Sequence, residues 1–244
     1  MGVPSLSRGW GQCDPAEPRN RRRRASILIE GQGVRLLIDP GPDLREQLLG
    51  LADPRLDAVF VTHVHADHCH GIDDLRGIAG RRGAPVPVFS VPEHLDTIQG
   101  RFPYMFQRSK DGYYGPFLQS NPVQDSFSVG PLTIKIWPQN HVVTTSYGLR
   151  VGDFAYVTDV WELDDRAFEA LRGIRTWIVA AVQHKEHPTH AHVGRVLGWI
   201  DRIRPQRAIF THMNESLDYR SLYDSLPSGV EPGYDGMVIE MDGA

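Results

Sequence analysis

One run of eleven residues restricts what this chain can fold into more than any other: Val61-Thr62-His63-Val64-His65-Ala66-Asp67-His68-Cys69-His70-Gly71. Before it, Leu56 to Val61 is β-branched and apolar and reads as a buried strand. Alternate side chains of an extended segment share a face, so His63, His65 and Asp67 point the same way. His68 falls where the strand must turn, and Gly71 followed by Ile72-Asp73-Asp74-Leu75 reads as the start of a helix. Imidazoles beside a carboxylate suit zinc and are tolerable for manganese or iron. The competing reading is a histidine-rich surface turn. The whole chain holds only 11 histidines, and His-x-His-x-Asp-His then arises by chance on the order of once in a thousand such chains. A metal site at the end of a strand is the reading adopted.

The rest of the composition bounds the class. The 244 residues, 41% of them hydrophobic, can bury a sizeable core. A formal net charge of −4 argues against a strongly electrostatic nucleic-acid binder. Two cysteines, Cys13 and Cys69, make no disulfide framework, which points to a reducing compartment. No apolar stretch approaches the roughly 20 residues of a membrane span. The first eleven residues lack the apolar core of a signal peptide, and Leu6 stands where a myristoylation signal wants Ser or Thr. The expectation is a cytoplasmic protein with no membrane partner.

Taken in order, residues 1–244 read as a single domain. Residues 1–24 are a loop or arm rich in Gly, Pro and Arg, and the basic run at Arg19 and Arg21 to Arg24 reads as a solvated strand edge rather than a phosphate trap. A hairpin follows, Ala25 to Glu30 and Val34 to Asp39 around Gly31-Gln32-Gly33, then a break at Asp39 to Asp43 and a short helix over Leu44 to Leu51. Pro85 to Ser90 is a strand and Pro92 to Arg101 a helix with proline in its first turn. Residues 102–125 read as an inserted irregular loop rich in aromatics, either a lid or a packed insertion. Strands are expected at Leu132 to Trp137, Tyr147 to Val151, Phe154 to Asp159, Thr176 to Val182 and Arg207 to Thr211, with helices at Leu163 to Leu171 and His190 to Arg204, and Met237 to Met241 closes the chain.

His141, Asp159 and His212 each lie just past the carboxyl end of a strand, where ligand sites gather in mixed α/β folds. Singly they read as a loop residue, a turn former and a helix-terminal group. Together with the first four ligands they complete what two metals need. His63, His65 and His141 would bind one ion, Asp67, His68 and His212 the other, with Asp159 bridging. Two cations about 3.5–4 Å apart hold a hydroxide and clamp an oxyanion, which suits phosphate ester hydrolysis.

In Thr62 to His68 and these later ligands the chain resembles the metallo-β-lactamase superfamily, over most of its length from Ile27 onward. The resemblance implies an α/β fold, an αββα sandwich of two mixed sheets flanked by helices, with a dinuclear site at one rim. Gly11-Gln12-Cys13-Asp14-Pro15, Pro18-Arg19-Asn20-Arg21-Arg22, Pro188-Thr189-His190 and Thr211-His212-Met213 further resemble the PhnP-type phosphodiesterases. That likeness implies a small cyclic phosphate as substrate, two zinc or manganese ions, and His190 as the acid for the leaving oxygen, with Asp67 joining it in catalysis. A homodimer is compatible with it. The bare residues leave His190 equally readable as a solvent-facing helix residue. Three departures stand out: the chain opens at Met1-Gly2-Val3-Pro4 where relatives usually have a further strand before Val-Pro, Cys13 stands without a cysteine cluster so that no third metal is expected, and Asn214 replaces a frequent histidine. The competing functions are tRNA 3′-end processing, which shares His-x-His-x-Asp-His, and a non-catalytic metal-binding relative serving cofactor biosynthesis.

Overall fold

The hairpin that opens the regular structure sets the first sheet. β1 (Ile27–Gly31) and β2 (Val34–Ile38) pair antiparallel with Gly31 opposite Val34. The two connecting residues, Gln32 and Gly33, have φ of 50° and 80°, the left-handed pair whose twist matches the flanking strands. The structure is a computed structural model, and it describes residues 2–241. It divides into two compact units: a continuous one, Ser26–Ile134, and a split one made of the residues up to Ala25 and those from Lys135 onward.

In the continuous unit β1 and β2 are followed by α1 (Leu44–Leu49), β3 (Ala58–Phe60), α2 (Ala66–Cys69), α3 (Leu75–Arg82), β4 (Val86–Ser90), α4 (Pro92–Arg101), α5 (Pro103–Phe106) and β5 (Leu118–Pro122). The sheet order is β1-β2-β3-β4-β5, and every pairing after the hairpin is parallel. Parallel neighbours need crossovers, and the helices supply them while covering the apolar strands. Leu37, Leu44, Val59, Ile72, Leu75, Val88, Leu95, Ile98 and Met105 form one buried cluster. Phe127, from β6 (Ser126–Val129), stacks on Phe60 and Phe89 at 5.2 and 4.6 Å.

β7 (Leu132–Asn140) starts in the continuous unit and runs into the split one, which goes on with β8 (Thr145–Val151), β9 (Phe154–Val157), α6 (Asp165–Ala170), β10 (Thr176–Ala180), α7 (Val193–Ile203), β11 (Arg207–Thr211), α8 (Tyr219–Ser225) and β12 (Val230–Pro232). The order is β12-β11-β10-β9-β8-β7-β6. β9, β10, β11 and β12 are mutually parallel, while β7 and β8, and β8 and β9, are antiparallel. β7 therefore points the same way as β9, β10 and β11. Trp137, Val157, Trp177, Val179, Val196, Trp199 and Phe210 lie in its core. All five tryptophans, Trp10, Trp137, Trp161, Trp177 and Trp199, belong to this unit.

Several expectations need correction. The 102–125 stretch is not irregular throughout: Pro103 starts α5, Met105 anchors it fully buried, and β5 extends the first sheet beside β4. β5 escaped detection because its sequence, LQSNP, is that of a polar edge strand. β7 continues past Trp137 through Pro138, which pairs with Tyr147 of β8. β12, which the sequence did not announce, lies parallel beside β11, and Val238 beyond it is exposed.

The basic run is not simply a solvated edge either. Arg22 is buried, and its Nη2 donates to Asn214 O and Leu217 O at 3.0 and 2.9 Å, while the backbone at Val3 pairs with that at Arg22. The Asp218 carboxylate accepts from Asp14 N and Asn20 Nδ2 at 3.1 and 2.6 Å, and Glu17 binds Arg19 at 2.6 Å and Arg220 at 3.3 Å. The early residues are thus stitched to the segment after β11. Among the described residues no helix is long and apolar enough to cross a membrane.

Candidate metal centre

Within the continuous unit, the first group of predicted ligands leaves the end of β3, the middle strand of five. Val61 N still donates to Phe89 O, but at Thr62 the pairing changes partner: its N–H and hydroxyl both donate to the Asp39 carboxylate at 2.8 Å. Asp39 also accepts from His68 Nδ1 at 2.8 Å. One buried carboxylate, one residue past β2, thereby fixes both ends of the ligand turn. Its φ is 61°, a left-handed conformation that Asp visits more readily than most residues. The loop carrying it is held in turn by Gly71, whose N–H donates to Pro40 O at 2.9 Å. A Cβ on Gly71 would sit 1.8 Å from Gly41 O, so only glycine allows this approach.

The predicted ligands themselves are gathered closely. His63 Nε2 is 3.1 Å from His65 Nδ1, the His63 and His68 rings are 4.3 Å apart, and His68 Nε2 is 3.8 Å from Asp67 Oδ2. Cys69, next in line, is no thiolate: burial pushes its thiol up to about 11, and it donates to His65 O at 3.3 Å. Arg101, at the end of α4, donates to Val64 O.

The split unit gathers the second group around Asp159. That residue follows β9 by two positions with φ 45°, and His212 follows β11 directly with φ 55°. Asp159 Oδ1 is 3.2 Å from His212 Nε2, and Oδ2 is 3.3 Å from His190 Nε2 and 3.6 Å from His141 Nε2. Asp159, His190 and His212 could offer one ligand atom each within 4.8 Å of one another. Thr158 Oγ1 donates to Oδ1 at 3.0 Å, and Ser146 Oγ donates to Asp159 O at 2.8 Å. His141 Nδ1 lies 2.9 Å from Thr189 O; a carbonyl only accepts, so the proton is on Nδ1 and Nε2 faces the carboxylate. Asn214 binds Gln183 Oε1 at 2.9 Å and accepts from Ser216 N and Oγ, closing the loop after His212.

This pattern fits divalent cations. His68 and His141 each spend Nδ1 on a protein acceptor and turn Nε2 toward a carboxylate, the arrangement that sets tautomer and orientation in metal-binding histidines. Sequence reasoning missed Asp39, Thr62 and Thr189, which support the ligands, and also His187, 3.3 Å from His190 through the two Nδ1 atoms. The signal for Asp39 was present: a carboxylate just past an apolar strand, the same context that singled out Asp159.

A β-lactamase superfamily domain matches residues 34–213. The crystal structure of a new diphosphatase from the PhnP family superposes with a TM-score of 0.87 at 30% identity, covering 97% of this chain and 91% of that one. The chain belongs to the metallo-β-lactamase superfamily, in its PhnP-like branch. This PhnP-like chain is also 31% identical over 247 residues to an octanoyltransferase of Porphyromonas gingivalis, covering 99% of the chain and 49% of the relative. A ribonuclease Z of Bradyrhizobium diazoefficiens is 30% identical over 142 residues, 54% of the chain and 44% of the relative. The PhnP-like chain thus spans about half the length, or less, of these two curated relatives. It has the metallo-β-lactamase fold, with histidine and aspartate clusters suited to divalent metal binding.

Proposed function

We propose that this hydrolase cleaves a phosphodiester in a small cyclic phosphate or nucleotide-like substrate, with His63, His65, Asp67, His68, His141, Asp159 and His212 serving two divalent ions, zinc or manganese. The observation that carries the reading is the position of His190: it shares the Asp159 carboxylate with two predicted ligands yet is not needed in the ligand set. The ions, when bound, activate water and neutralise charge on the phosphate. Asp67 is the ligand carboxylate with appreciable exposure, 30% of its side chain, and accepts the proton of the attacking water. His190 gives the proton from Nε2 to the departing oxygen as the P–O bond breaks, because an alkoxide is a poor leaving group unless protonated. A histidine in this role typically contributes 10²–10⁴-fold. The names of two relatives, a diphosphatase and a ribonuclease, support chemistry at phosphorus.

His190→Ala should bind both ions normally and lose roughly 10²–10⁴-fold in kcat on an alkyl phosphodiester. On a p-nitrophenyl diester, whose leaving group is stable as an anion, the loss should shrink towards nothing. Equal losses on both would show that His190 binds phosphate or supports the site instead.

A further inference from the structure

His141 opens the short connection between β7 and β8, and the turn it begins is strained. Val143 N–H donates to His141 O at 2.7 Å, a bond that closes over Val142 alone, and Val142 has φ 62°. This is the rare form of the three-residue turn, and a β-branched residue is among the costliest to hold in it. Packing repays little of that cost, since Val142 and Val143 are 53% and 68% exposed. A side-chain hydrogen bond holds the turn instead. Asn140 reaches two residues on, and its Oδ1 accepts from Val142 N–H at 2.8 Å.

Asn140 is well placed for this. Its backbone pairs with Thr145 across the hairpin, and its O accepts from Trp161 N–H at 2.7 Å. Trp161 lies two residues past Asp159, so Asn140 ties the turn carrying His141 to the connection carrying Asp159. Both ends of the β7–β8 connection are fixed in strands. A change of φ at Val142 must therefore be taken up by its neighbours, His141 among them. Thr189 O steadies the His141 ring at Nδ1, at 2.9 Å, and the turn steadies the backbone from which that ring extends.

We propose that Asn140 is a positioning residue for His141: its side chain holds Val142 in left-handed backbone and so fixes the direction in which His141 Nε2 is presented. The consequence for metal rests on His141 being a ligand; the hold on Val142 does not.

The test reads the turn and the metal separately in the full-length protein. The turn is read by NMR, from the strong contact between the amide and α protons of one residue that marks positive φ, with the Val142 signal assigned from Val142→Gly. Zinc affinity is read by competition with a chelator. Asn140→Ala should lose the positive-φ signature at Val142 and bind zinc about 10-fold more weakly, the lower end of what a supporting group contributes. Its thermal midpoint should change little, because Asn140 is exposed. Val142→Gly should bind zinc as wild type does, since glycine enters this region without strain. For the same reason, adding Val142→Gly to Asn140→Ala should recover most of the lost affinity. A positive φ that persists in Asn140→Ala overturns the proposal, and so does an equal loss of zinc affinity in the single and double variants. If His141→Ala binds zinc as wild type does, the ligand reading of His141 falls and takes the metal consequence with it, and the φ signature alone decides whether Asn140 holds the turn.

Discussion

The two groups of predicted ligands are built on opposite plans. In the continuous unit four ligands fit within six consecutive residues, His63 to His68, and a single outside group, Asp39, anchors the turn. In the split unit His141, Asp159 and His212 are spread over three connections, and parallel strand directions bring them to one edge of a sheet. The first plan stores its geometry in local backbone and one buried carboxylate. The second stores it in sheet topology and in left-handed backbone at Asp159 and His212. A compact motif is rigid cheaply in sequence, whereas a distributed one needs a correctly ordered sheet first.

Removal of Asp159 should have the largest effect, because both of its oxygens face histidines. Asp159→Ala should drop bound metal, measured by elemental analysis, clearly below the two ions proposed, and activity should fall by more than the roughly 10²-fold expected of a supporting residue. The local plan is probed by His63→Ala/His68→Ala. Metal binding by wild type no better than by this double variant would remove the metal reading for both groups.

Next in size is Asp39. Asp39→Ala strands Thr62 N–H, the Thr62 hydroxyl and His68 Nδ1–H, all buried, and puts alanine in a left-handed conformation. The variant should lose about 3 kcal/mol in denaturant unfolding and roughly 10- to 100-fold in metal affinity. Asp39→Asn, which tolerates the backbone and keeps one acceptor, should lose less of both. Equal losses would mean that Asp39 acts through its charge rather than by positioning.

The smallest effect belongs to the stitching of the early residues. The Arg19 guanidinium holds the Glu17 carboxyl at about 2. Burial would raise Asp218, but hydrogen bonds from Ser221, Asn20 and Asp14 outweigh it and leave it at about 2. Both values are depressed, so the stabilisation they supply is present above the ordinary carboxylate range near pH 4 and is lost as pH falls toward 2. Amide hydrogen exchange over residues 2–22 should accelerate in that window, ahead of the sheet strands. Simultaneous exchange everywhere would show that the stitching does not release separately.

The same contrast explains what could be read from the chain beforehand. The His63 to His68 run announced itself, since its residue types and period-2 spacing are local facts. His141, Asp159 and His212 were found by their shared position after strands, and the helix at Pro92–Arg101 and the strand at Arg207–Thr211 came out with their observed bounds. Asp39 reads only as the end of a hairpin strand and the start of a break, because its partners lie 23 and 29 residues on. β5, a polar edge, and β12, three residues long, carry too little apolar pattern to be seen. Arg22 looked solvated because nothing in a basic run reveals that one member reaches carbonyls some 190 residues away.

The placement of the tryptophans has a spectroscopic consequence. With Trp10, Trp137, Trp161, Trp177 and Trp199 all in the split unit, indole emission is blind to the continuous unit, whose larger chromophores are only Tyr104, Tyr113 and Tyr114. The native chain is therefore its own singly labelled sample. A melt followed by indole fluorescence tracks one sheet, far-ultraviolet dichroism tracks both, and any gap between the two curves measures how far the units unfold apart, without a dye or a substitution.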